Sequence, residues 1–297
     1  MSRRRTRAAA MAIAATAVAA LSTGTAAADP GDAQADIVGG HQATGATPWA
    51  AAVTYDAPDH NVFDHLTCSG ALVFSNMVVT AAPCVTDQLA AARRAERPGP
   101  TFLDTNSSGP IPVKDKRFTV ILGKDRTRGE TATVTTIVVN PGFDWARGAP
   151  ARKVEDAAVL LLDHDVAAQT LPLASRAPRP GTKLSLYGFG LTRPDAGGQP
   201  ATRLQQLETT VLPRSRCADA LQSAGEFCTA NPNGTDGPGP GDSGGPAVVR
   251  ENGVARLAGI CSRAGDGAGP GQLPTVYTDG SGQREFFYEV ARTGGAS

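Results

Sequence analysis

The chain has no excess of either charge. Its 28 lysines and arginines balance 28 aspartates and glutamates, for a formal net charge of zero. That excludes the broad electrostatic footprint of a protein that tracks nucleic acid or an acidic membrane surface. Aromatics are scarce, at 5 %, while glycine (34) and proline (22) are plentiful. Such a composition suits an all-β chain of short strands and many turns. Histidine occurs only four times, at His41, His60, His65 and His164. No group of Cys, His and acids has metal-ligand spacing, so neither a metal nor another cofactor is expected. Cysteines number five, which fits an oxidising compartment and leaves one thiol over. Beyond the N-terminus, no apolar run is long enough to span a bilayer.

The N-terminus reads as a targeting segment. Arg3-Arg4-Arg5-Thr6-Arg7 is a basic region, Ala8 to Leu21 is apolar, and Ala26-Ala27-Ala28 is an A-x-A cleavage site. Residues 1–28 are therefore expected to be removed on export, leaving a secreted protein without a membrane anchor. Residues 29–36 read as a short pro-segment. A chain of 297 residues can bury a sizeable core, as one double-barrel unit or two small domains.

What the chain does have is Gly241-Asp242-Ser243-Gly244-Gly245-Pro246. A catalytic serine needs a sharp turn that exposes Oγ, and small neighbours that let backbone N–H groups converge on a developing oxyanion. Gly241 and Ser243 would supply those two amides.

The hexapeptide resembles the nucleophile loop of trypsin-like, chymotrypsin-fold serine peptidases of a secreted bacterial type, and the resemblance runs from residue 37 to 292. It implies two adjacent six-stranded antiparallel β-barrels with a cleft between them and a short C-terminal helix over Arg284–Arg292, followed by a tail at 293–297. Ile37-Val38-Gly39-Gly40 is similar to the family's activation sequence, whose new ammonium group would pair with Asp242. The preceding residue is Asp36, which a trypsin-like activator would not cut after. Glu155-Asp156-Ala157-Ala158 followed by Val159–Leu162 resembles the strand that carries the triad aspartate, here Asp156. Disulfides Cys68–Cys84 and Cys217–Cys228 are implied, with Cys261 as the odd thiol. The hairpin Leu66–Phe74/Met77–Ala81 turns at Ser75-Asn76, and a polar loop is expected over Asp56–Asp64. A long insertion occupies 85–117, with a helix-like piece at 87–97.

Two departures weigh on activity. Where the family reads Thr-Ala-Ala-His-Cys, this chain reads Thr80-Ala81-Ala82-Pro83-Cys84. Proline has no titratable group, so the general base is missing. The specificity pocket has drifted as well. Gly237 lies six before Ser243, where the family places the pocket base, while Asp236 looks like the pocket aspartate displaced by one residue. Ser262 matches the serine that touches the triad aspartate. Arg263 replaces a tryptophan, and its cation could neutralise the pocket. Thr275 stands where a glycine often keeps the pocket open. The expectation is a peptidase homologue, impaired or inactive, that binds a peptide or protein as a monomer. The alternative is an active serine endopeptidase using Ser243 and Asp156 with a substitute base.

Overall fold

The computed structural model describes residues 37–87, 111–144, 154–191, 200–218, 222–263 and 271–295. The expected signal and pro-segments, and most of the 85–117 insertion with its helix-like piece, lie outside the described residues.

Six strands close a barrel. They are β2 (Ala50–Ala57), β3 (Val62–Phe74), β4 (Met77–Thr80), β5 (Arg117–Leu122), β6 (Glu130–Val139) and β7 (Ala158–Leu162), joined in the order β2-β3-β4-β7-β6-β5. The pairing of β2 with β5, from Ala51↔Leu122 to Asp56↔Arg117, closes the ring. The short apolar runs of β4 and β7 are buried at every position, as expected of strands covered on both faces. β2 runs on to Ala57 and pairs with Val62, so the polar loop expected over Asp56–Asp64 shrinks to residues 58–61. Asn61, in the left-handed region at φ 55°, makes that turn.

The second half is a curled sheet. Before the barrel, the chain lays down a two-residue strand β1 (His41–Gln42). After it come β8 (Lys183–Gly188), β9 (Gln205–Thr210), β10 (Glu226–Thr229), β11 (Pro246–Glu251), β12 (Val254–Arg263) and β13 (Thr275–Asp279). The order is β1-β9-β8-β11-β12-β13-β10. The sheet curls until the end of β9 meets β10, through the bridge Val211↔Thr229 and the bonds Leu212 N–H to Cys228 O and Ala230 N–H to Thr210 O, each 2.9 Å. Strands β8–β13 make up the six expected of the second barrel, and β1 adds a seventh at the edge of β9. Its residues, His41 and Gln42, are too few to show a strand period in the sequence.

The two sheets meet along a seam where Trp49, at the start of the barrel, sits edge-on to Tyr187 of β8, ring centroids 5.1 Å apart. Helix α1 (Arg284–Thr293) closes the chain and buries Phe287 and Val290, three apart on one face. Gly294, at φ 64°, ends it and returns its N–H to Val290 O. Both expected disulfides, Cys68–Cys84 and Cys217–Cys228, are formed, and Cys261 is a buried free thiol.

Candidate active site

The Gly241–Gly245 loop is built by its neighbours as much as by itself. Gly241 adopts φ 94°, and a Cβ there would come within 2.8 Å of Gly190 Cα. Gly244, at φ 80°, has no room for a side chain against Thr80 and Ser69. Ser69, buried on β3, ties the loop down through its hydroxyl and its N–H, and its remaining bonds go to Phe189 and Thr80. Its Oγ donates to Gly241 O and accepts the Phe189 N–H, both 2.9 Å. Its own N–H donates to Ser243 O at 2.9 Å, and its carbonyl accepts the Thr80 hydroxyl at 2.8 Å. The Ser243 side chain is half-buried. Neither the Gly241 nor the Ser243 amide has an acceptor among the described residues.

Asp242 points inward and is 1 % exposed. Its Oδ1 accepts the Gly190 N–H at 2.8 Å and its Oδ2 the Gly239 N–H at 2.9 Å. Gly188 and Gly190 make the space, since a Cβ on either would run into the carboxylate. Burial pushes this carboxyl up to about 7, against the pull of the two amides. Ile37 is seated in the core of the second sheet with Leu184, Leu186, Cys261 and Tyr277. The next residue, Val38, accepts the Gly237 N–H at 2.9 Å.

Asp156, ahead of β7, is fully buried. Its Oδ1 accepts the Ala82 N–H at 2.8 Å and its Oδ2 the Ser262 hydroxyl at 2.6 Å. Burial raises this acid to about 7, opposed by the Ser262 and Ala82 hydrogen bonds and by the Arg263 charge. Ser262 also accepts from Arg263 Nη1 at 3.1 Å. That guanidinium forms a two-pronged pair with Glu226 of β10, at 2.7 and 2.8 Å. Arg263 is thus committed to Glu226 rather than to the specificity pocket. A continuous polar chain runs from Asp156 through Ser262 and Arg263 to Glu226.

Pro83 is half-buried in a 3₁₀ turn, Ala82–Val85. Ala82 touches Asp156, and Cys84 Sγ lies 3.9 Å from Ser243 O. Pro83 stands between these two residues. The histidines are engaged elsewhere. His60 lies 3.3 Å from Asp115, His65 packs on the Tyr55 ring, His164 contacts Asp163, and His41 is exposed on β1.

The proposed pocket residues fall into two places. The Asp236 carboxylate accepts from Asn233 Nδ2 at 2.7 Å and Thr235 Oγ1 at 3.1 Å, and it packs directly on Gly39. Gly237 instead faces the Gly271 backbone; a Cβ on it would be 3.1 Å from Gly271 N. Thr275 is buried on β13. The sequence reading missed Ser69 and Glu226. Glu226 left a signal, because an acid inside a short apolar strand must find a partner when buried. Ser69 left none: one serine after a cysteine looks like any other.

A closed six-stranded barrel and a curled sheet, with a Gly-Asp-Ser-Gly-Gly loop held down on the barrel, define a chymotrypsin-like fold. The family model described as Trypsin matches residues 37–285, and the chain belongs to this trypsin-like serine protease family. It is similar to Serine protease filzig of Drosophila melanogaster, 29 % identical over 268 residues, covering 85 % of this chain and 14 % of that protein. With Serine protease 57 of Mus musculus it shares 26 % identity over 275 residues, 89 % of this chain and 84 % of that protein. Phenoloxidase-activating factor 1 of Holotrichia diomphalia is 27 % identical over 249 residues, 78 % of this chain and 63 % of that protein. The chain thus spans only part of filzig and of the phenoloxidase-activating factor. A solved structure described as the atomic resolution structure of HBP superposes with a TM-score of 0.59 at 22 % identity, covering 86 % of this chain and 97 % of that one.

Proposed function

We propose that this chain is a secreted, non-catalytic member of the family that binds a peptide or protein through the old active-site cleft. The observation that carries the reading is the turn Ala82–Val85, where proline stands between a residue on Asp156 and a residue on Ser243. The base that takes the serine proton and returns it to the leaving amine belongs there. Loss of that base in a comparable triad costs on the order of 10⁶ in kcat, about 8 kcal/mol of barrier. The oxyanion amides and substrate binding together retain roughly 10³ to 10⁴ over water.

The pocket follows Gly237, and so favours an uncharged side chain. Asp236 spends its carboxylate on Asn233, Thr235 and the surface of Gly39. Residues 1–28 serve as signal peptide and 29–36 as pro-segment. A cut before Ile37 would release an ammonium group for Asp242.

The test compares secreted wild type, Pro83→His and Ser243→Ala, each starting at Ile37, with a serine-directed fluorophosphonate and a mixed peptide library. Wild type is expected to be as silent as Ser243→Ala, and Pro83→His to label and cut. Labelling and cleavage by wild type well above Ser243→Ala would overturn the reading in favour of an active endopeptidase with a substitute base.

A further inference from the structure

Among the described residues, the Gly241 and Ser243 N–H groups are donors left over inside a tightly bonded loop, and each is held in a fixed direction. The peptide plane that carries the Gly241 N–H has Pro240 O at its other end, and that oxygen accepts the Leu191 N–H at 2.8 Å. The plane that carries the Ser243 N–H has Asp242 O at its other end, and that oxygen accepts the Gly245 N–H at 2.9 Å. Since a peptide unit is planar and trans, fixing the carbonyl fixes the N–H opposite it. The Asp242 N–H between them is spent on Gly239 O at 3.0 Å. Ser69 locks the loop from the barrel side through Gly241 O and Ser243 O. Preoriented backbone amides that lack an acceptor among the described residues are donors suited to an anion.

In a working peptidase the negative charge for such a hole arises only in the transition state, after the base has taken the serine proton. An intact peptide brings a neutral carbonyl and gains only ordinary hydrogen bonds. Without a base, the charge that the two amides are aimed at must arrive with the ligand. We propose that the cleft holds its peptide by the C-terminal carboxylate, seated on the Gly241 and Ser243 amides; this rests on the non-catalytic reading above. The surroundings permit it. Asp156 and Asp242 are at most 1 % exposed, and every carboxylate oxygen of the two accepts an internal hydrogen bond. The Arg263 cation is bound to Glu226, so recognition falls to the backbone.

The test uses the purified chain and a peptide library randomised at its last four positions, prepared once as free acids and once as C-terminal carboxamides. Recovered sequences are then titrated in both forms. Charge-assisted hydrogen bonds are about twice as strong as neutral ones, so two of them predict a preference of about tenfold or more for the acid. Ser69→Ala removes the hydroxyl that anchors Gly241 O and Phe189 N–H, loosening the loop on that side, and is expected to shrink that preference, with its melting temperature as the check on folding. If it does not fold, the wild-type acid–amide pair decides the matter alone. Equal affinity for acid and amide would overturn the carboxylate assignment while leaving peptide binding in place. Failure of both libraries to bind would overturn the peptide-binding reading and this inference with it.

Discussion

Replacing Asp156 with asparagine tests whether this acid is neutral inside the fold. Burial raises it from an ordinary value of 3.8 to about 7, with Ser262, Ala82 and Arg263 pulling the other way. The sign follows from proton counting. Between those two values the unfolded chain has released this proton and the folded chain has kept it, so wild-type stability falls as pH rises from 4 to 7. About three pKa units at 1.36 kcal/mol each give about 4 kcal/mol of destabilisation above pH 7 that is absent at pH 4. Asparagine carries no such penalty, but it gives up one oxygen acceptor, worth about 1 kcal/mol at any pH. Asp156→Asn should therefore be about 1 kcal/mol less stable than wild type at pH 4 and about 3 kcal/mol more stable at pH 8. The assay is urea unfolding of both proteins at each pH from 4 to 8, disulfides intact. The buried Asp242 titrates in both proteins and cancels in the difference. A difference that is flat with pH, or that runs in wild type's favour as pH rises, would refute the reasoning. It would mean that the hydrogen bonds from Ala82 and Ser262 outweigh burial and hold a charged carboxylate.

The remaining predictions concern the frame around the site. Arg263→Ala strands the Glu226 carboxylate in a buried setting and should cost about 3–5 kcal/mol in urea unfolding; pairing it with Glu226→Gln should recover much of that loss, and a double-mutant cycle without coupling would sink the idea. Gly188→Ala drives a Cβ into Asp242 Oδ1, so a loss of about 2 kcal/mol or more is expected. A Gly188→Ala protein as stable as wild type would show that Asp242 can turn elsewhere.

Much of the site is legible in the sequence because it is local. The Gly-Asp-Ser-Gly-Gly-Pro turn, the acid before a buried strand, and the proline in Thr80–Cys84 each lie within a few residues. Strand periods and the closing helix follow from patterns of similar range. What was not legible is long-range. Ser69 reaches Gly241 across 172 positions, and Arg263 reaches Glu226 across 37. Arg263 shows the limit well: an arginine near a pocket reads as a charge for the pocket until its partner is known, and only folding brings Glu226 of β10 within reach of Arg263 of β12, across the intervening β13.

Ser69 spends all its hydrogen-bonding groups on the nucleophile loop and on Phe189 and Thr80, and Asp242 fills the space left by Gly188 and Gly190. The loop's glycines have no room for side chains, and its aspartate satisfies two buried amides. Most of Gly-Asp-Ser-Gly-Gly is therefore required by packing, whether or not a bond is ever cut. Position 83 is different in kind. It is half-buried on a turn whose backbone is held by a disulfide and by Asp156. A change there removes the base and leaves the frame standing. The persistence of the motif is then weak evidence for turnover. Position 83, where chemistry and stability come apart, is where the question of activity is decided.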